Sequence, residues 1–161
     1  MSYYPVFKLI HISAVILFLG NILTGLFWMK QADRSGNLSI ISFTINSIIK
    51  SDKWFTIPGV VIITGAGISA ALQNHIPLLR TGWIFWSITL FTLSGIVFSI
   101  KLVPLQRKIF EQTCGQVNGK FNWKLYRKNL LKWERRGLVA LILPLIALAL
   151  MVLKIPVNSP I

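Results

Sequence analysis

Four long apolar runs divide this chain, and the charged residues collect in the segments between them. The runs extend from about Val6 to Met29, Trp54 to Leu72, Trp83 to Leu102 and Gly137 to Leu153. Each is close to the roughly 20 residues that an α-helix needs to cross a ~30 Å hydrocarbon layer at about 1.5 Å per residue. The first run is too long for a signal-peptide core, and no small-residue cleavage site follows it. The pattern predicts an all-α, integral membrane four-helix bundle, with residues 1–161 as a single transmembrane domain.

The two longer connecting segments carry helical periodicity of their own. After the turn signal Ser35-Gly36-Asn37, Ile41, Ile45, Ile48 and Ile49 recur at helical spacing, which predicts an amphipathic helix over residues 39–50. Beyond Asn122, a suitable N-cap, Trp123, Tyr126, Leu130 and Trp133 form one stripe, while Lys124, Lys128, Lys132 and Arg135 take the other face. Both segments are expected to be interfacial helices in cytoplasmic loops. The second would rest on anionic headgroups, each cation near the surface contributing about 1 kcal/mol. Aromatic-basic interleaving also occurs in single-stranded nucleic-acid sites, but joined directly to a span it points to membrane lipids, so no nucleic-acid partner is expected. The tail from Pro156 to Ile161 is expected to fray.

Composition agrees with lipid as the solvent. Hydrophobic residues make up 54% of the chain and charged ones 13%, half the ~25% usual in soluble domains. The formal net charge of +13 would raise the question of nucleic acid on a soluble protein, yet fourteen of the seventeen Lys and Arg lie in segments 30–53 and 101–136. Four spans place those segments on one side, leaving Lys8, Arg80 and Lys154 for the other. Basic loops stay in the cytoplasm, so the expected location is a bacterial inner (plasma) membrane with both termini extracytoplasmic. Cys114 is the lone cysteine, which rules out an intrachain disulfide or a thiolate metal cluster within one chain.

Polar residues inside the spans are the candidates for chemistry, because a polar or ionisable group at membrane depth is costly unless it is paired or used. His11 lies toward the outer end of the first run, one turn after Lys8. It reads as an axial haem ligand or a proton-handling group, or else as a group hydrogen-bonding a neighbouring helix at the headgroup boundary. His75 follows the second run at the same membrane face, where joint ligation with His11 is topologically available, although Pro77 implies a solvated turn. A closed zinc site needs about four ligands, more than this face offers. Methionines only at positions 1, 29 and 151 argue against copper handling.

The second run contains the small-residue pairs Gly65/Ser69, Ala66/Ala70 and Gly67/Ala71, a close-packing surface that Ser87, Thr92, Ser94, Gly95 and Ser99 of the third are expected to face. Such faces also suit a homo-oligomer. Asn21 is expected to hydrogen-bond across a helix interface. Phosphate-binding loops, HExxH and the nucleophile elbow are absent. No Asp or Glu falls within the four runs, so chemistry by paired carboxylates in the bilayer is not expected.

The segment Lys8-Leu9-Ile10-His11-Ile12, with Gly20 and Phe27-Trp28-Met29 closing the same run, resembles the first helix of a membrane superfamily. That group comprises HemJ-type protoporphyrinogen oxidases, CopD-type copper-resistance proteins and small predicted integral membrane proteins of unknown function, the last being most similar. Ile57-Pro58-Gly59 with Thr64-Gly65, Gly82-Trp83, and Val103-Pro104-Leu105-Gln106-Arg107 continue the likeness over about residues 5–110. The resemblance implies haem b or a porphyrin at His11, with a redox role. In the HemJ branch a lysine early in a later helix accompanies activity. Trp86 or Ser87 falls near its place here, so oxidase activity does not carry over. The alternative expectation is a non-catalytic scaffold, small transporter or partner subunit without cofactor.

Overall fold

The computed structural model describes residues 3–114 and 121–160, and every regular element among them is helical. Lys120, one of the basic residues counted above, and Ile161 lie outside the described residues. In chain order the elements are α1 (Tyr4–Arg34), α2 (Leu38–Ser51), a π-helical turn (Asp52–Thr56), α3 (Ile57–Gln73), α4 (Gly82–Val97), a second π-helical turn (Phe98–Leu102), α5 (Val103–Thr113) and α6 (Trp123–Leu153). Helix α2 continues through the first π turn into α3 as one rod, Leu38–Gln73, and α4 continues through the second into α5, Gly82–Thr113. With α1 and α6 these make four helices long and apolar enough to cross a membrane.

Both π turns have the same cause. The Ile57 N–H bonds to the Asp52 carbonyl and the Val103 N–H to the Phe98 carbonyl, each five residues back. A proline follows immediately, Pro58 or Pro104. A proline ring has no N–H to give and collides with the carbonyl four residues earlier, and widening the preceding turn relieves that collision. Side-chain caps start the helices as the turn signals predict: Asn37 accepts the Ser39 N–H at 2.9 Å, and Asn122 accepts the Leu125 N–H at 3.0 Å.

At the end of the bundle that carries the termini, α1 packs on α3 and α4 on α6. The Phe18 and Phe91 rings, 5.5 Å apart, join the two pairs. Outward-facing Leu9, Ile16, Leu17, Val61, Leu93 and Leu138 are all exposed, an apolar exterior that suits contact with lipid chains. At the other end α2, α5 and the first half of α6 close around the last turns of α1.

This second end corrects the placement of the two amphipathic segments. They are helical and amphipathic, but their apolar faces are turned toward one another. Ile41, Ile45, Ile109, Tyr126, Leu130 and Trp133 are buried in one core with Met29 and Leu105, leaving the Lys and Arg side chains outside. Each segment is the continuation of a membrane-spanning rod, so its stripe is already held opposite the others and finds protein first. Asp33 ties this end together by accepting from the Tyr126 hydroxyl at 3.1 Å and pairing with Arg127 at 2.6 Å.

Two further expectations are revised. Ser87 and Ser94 face α6, not α3. Helix α6 contains Pro144, which cannot bond the Ala140 carbonyl, and the Ser94 hydroxyl supplies the missing donor at 2.7 Å. The described part of the tail, residues 156–160, is held in place, because its backbone runs so close over Gly82 that a Cβ there would overlap the Val157 carbonyl. Trp86 Nε1 donates to the Asn158 carbonyl at 3.2 Å, and the Ser159 hydroxyl donates to the Leu79 carbonyl at 2.5 Å.

Candidate functional site

His11 sits half-buried on α1 against the small-residue face of α3. Its Nδ1 lies 2.8 Å from the Ile63 carbonyl. A carbonyl only accepts, so this nitrogen is the donor, and in the neutral imidazole the lone pair is then on Nε2. Gly67 provides the space: a Cβ there would stand 2.9 Å from Nδ1 and 3.0 Å from Cε1. Gly59 likewise receives Phe18 of α1. Gly59 and Gly67 of α3 therefore serve its contact with α1, while Gly65 is exposed and faces open space, and the residue type at position 67 decides whether an imidazole fits at position 11.

His75 is held differently. It is exposed and has a left-handed backbone, φ 53°. Its N–H bonds to the Leu72 carbonyl at 3.1 Å, and the Ile76 N–H reaches back to the Ala71 carbonyl at 3.0 Å. That pair of bonds is a Schellman ending, with His75 in the position usually given to glycine. From the level of Gly67, His75 is roughly 12 Å further along the α3 axis at about 1.5 Å per residue. The structure thus gives the two histidines separate local tasks. Among the described residues no three His, Cys, Asp or Glu side chains come together as a metal-holding group.

The sequence missed a second polar site. Asp52, expected in a loop, is only 8% exposed and lies in the first π turn between the helices. This corrects the reading that the bundle interior is free of carboxylates. Asp52 Oδ1 accepts from Asn21 Nδ2 at 3.1 Å and from the Thr56 hydroxyl at 2.9 Å, and Oδ2 accepts from Gln106 Nε2 at 2.7 Å. Asn21 Nδ2 also lies 2.9 Å from the Thr56 hydroxyl oxygen, and the Ser51 hydroxyl donates to Asn21 Oδ1. The expectation that Asn21 bonds across an interface holds, with Asp52 among its partners. A carboxylate taken out of water is costly unless it is hydrogen-bonded, and three converging donors are the compensation available to Asp52.

Two spaces adjoin this centre. A cavity of ≈ 20 Å³ is bordered by Asn21, Asp52, Gln106, Trp133 and the apolar side chains around them. Trp133 is 2% exposed, and its indole N–H has no hydrogen-bond partner among the described residues. On the outer side of Asn21, a groove of ≈ 400 Å³ between α1 and α2 is lined by Thr24, Trp28, Phe43, Thr44, Ser47 and Ser51. Asn21 borders both spaces. One signal for Asp52 was present in the sequence, since it continues the inward stripe of Ile41, Ile45 and Ile48 at helical spacing. Taking the second span to begin at Trp54 concealed it.

An all-helical bundle of four membrane-length rods, apolar outside and polar at two interior points, is an integral membrane protein. Residues 5–155 match the model of the DUF2269 family, described as predicted integral membrane protein, and the chain belongs to that family. No curated protein and no solved structure matches it.

Proposed function

We propose that this protein is an inner-membrane haem b or porphyrin protein with a redox role, using His11 as its iron ligand. The observation that carries the reading is the bond from Nδ1–H to the Ile63 carbonyl. It fixes the tautomer and ring orientation and leaves Nε2 as the coordinating nitrogen, the arrangement expected of a metal-bound histidine. Lys8, exposed one turn earlier, supplies a cation for a propionate. Once bound, the haem would supply one-electron chemistry, while the chain orients the imidazole and covers one side with α3. The likeness of Lys8-Leu9-Ile10-His11 to the HemJ/CopD group supports the same reading. With both termini outside, the site lies at the extracytoplasmic face and the exposed cations of α5 and α6 meet anionic headgroups.

The test is the absorption spectrum of protein expressed with added haem precursor. A Soret band that His11→Ala removes, with helical content retained, is the expected result. His75→Gly, which relieves a left-handed backbone, should leave the band unchanged if one imidazole holds the iron and alter it if both do. Colourless wild-type protein would sink the assignment. A second reading, a small transporter without cofactor, is favoured by the buried Asp52 centre beside an open groove.

A further inference from the structure

We infer that Asp52 and the small cavity beside it form a proton-binding centre that contains one bound water and exchanges protons with the groove between α1 and α2. This inference does not depend on His11. It starts from two observations at one place: a buried carboxylate without an ion-pair partner among the described residues, and a buried indole N–H without an acceptor, both bordering the same cavity.

The donors decide which ligand fits. The wall oxygens of Asp52 and Asn21 already accept hydrogen bonds from Asn21, Thr56, Gln106 and Ser51, and Trp133 adds only a donor, which a bare cation cannot answer. An anion is opposed by the carboxylate itself. A water answers both sides, because it accepts from the Trp133 N–H and donates to a carboxylate oxygen, and the cavity volume of ≈ 20 Å³ admits one. Among the described residues no other ionisable side chain borders the cavity. Asn21 from α1, Gln106 from α5, and Trp133 and Gly137 from α6 face Asp52 across it, all uncharged. The charged residues adjacent in sequence to the lining stay out of it: Lys53, Lys101, Arg107 and Lys132 are exposed, Glu134 is half-buried but does not border the cavity, and Arg136 donates to the Lys101 carbonyl at 3.4 Å.

The exchange step balances simply. A hydronium ion in the groove gives one proton past Asn21 to the cavity water, which passes one of its own protons to a carboxylate oxygen. In each transfer one O–H bond breaks and one forms, so a water is left in the groove and the resident water stays between Asp52 and Trp133. Asn21, Gly25 and Ile48 border both groove and cavity, and Asn21 is the gate because it is the polar side chain of the three, its amide held by Ser51 from the groove side.

The experiment uses the full chain in lipid nanodiscs with ¹⁵N-labelled indoles, the Trp133 resonance being assigned by its loss in Trp133→Phe. Titration from about pH 3 to about pH 9 should move this resonance through a single protonation step. The step should vanish in Asp52→Asn and change its midpoint in Gln106→Leu, which retains the carboxylate but removes a donor. Sodium, potassium or calcium chloride added at fixed pH should not displace the resonance beyond the common effect of ionic strength. Three results would overturn the proposal: a resonance indifferent to pH, a pH response that survives in Asp52→Asn, or a saturable shift with one cation, which would make this a metal-ion site. If Asp52→Asn does not fold, the wild-type, Gln106→Leu and cation titrations decide the matter unaided.

Discussion

At the scale of single residues, this protein is organised by hydrogen bonds that repair what its prolines break. Pro144 frees the Ala140 carbonyl inside a membrane helix, where no water is at hand, and Ser94 from α4 fills the gap. Ser94→Ala should therefore destabilise the fold by about 0.6 kcal/mol and by no more than about 1.7 kcal/mol, the range measured for interhelical hydrogen bonds in lipid. In a Pro144→Ala background the α6 backbone satisfies Ala140 itself, and the same serine substitution should cost less. Unfolding of the four variants in mixed micelles gives the coupling directly. Equal costs in both backgrounds would show that Ser94 acts through packing. Sequence alone did not reveal this role, since a serine at this spacing fits a small-residue face equally well; only the register of α4 against α6 shows the carbonyl opposite. His75 is a similar case, its backbone task at the end of α3 being invisible in the residue type.

At the scale of elements, the four spans were legible because 3.6-residue periodicity and length are local properties. The destination of an amphipathic face is not local. Trp123, Tyr126, Leu130 and Trp133 mark one side of a helix equally well whether lipid or protein covers it. Here protein covers three of the four, while Trp123 is 47% exposed and meets Phe121 edge-on. The distinction predicts opposite outcomes for neighbouring leucines. Leu130, 1% exposed, should cost about 2–5 kcal/mol when replaced by Ala, as core leucines do. Leu131, 45% exposed, should change stability by no more than about 0.5 kcal/mol on the same replacement. Thermal or denaturant unfolding of the reconstituted protein measures both. Small, equal effects would return the stripe to the membrane surface.

At the scale of the whole molecule, the distribution of charge and the packing of the rods bear on orientation together. Segments 30–53 and 101–136 hold fourteen of the seventeen basic residues. In the fold, α2, α5 and the beginning of α6 pack against one another and against the end of α1, so both segments belong to one end of the bundle. A three-span arrangement would have to pull that core apart and carry one basic segment across the bilayer. Positively charged segments resist translocation, which predicts a cytoplasmic position for this end and an extracytoplasmic one for both termini. A reporter active only in the cytoplasm should be silent when fused after Ile161 and active when inserted between Cys114 and Asn122. A reporter that needs export should give the opposite pair. If the C-terminal fusion proves active in the cytoplasm, the orientation is reversed, and His11 would then lie toward the cytoplasm with the Asp52 groove toward the exterior.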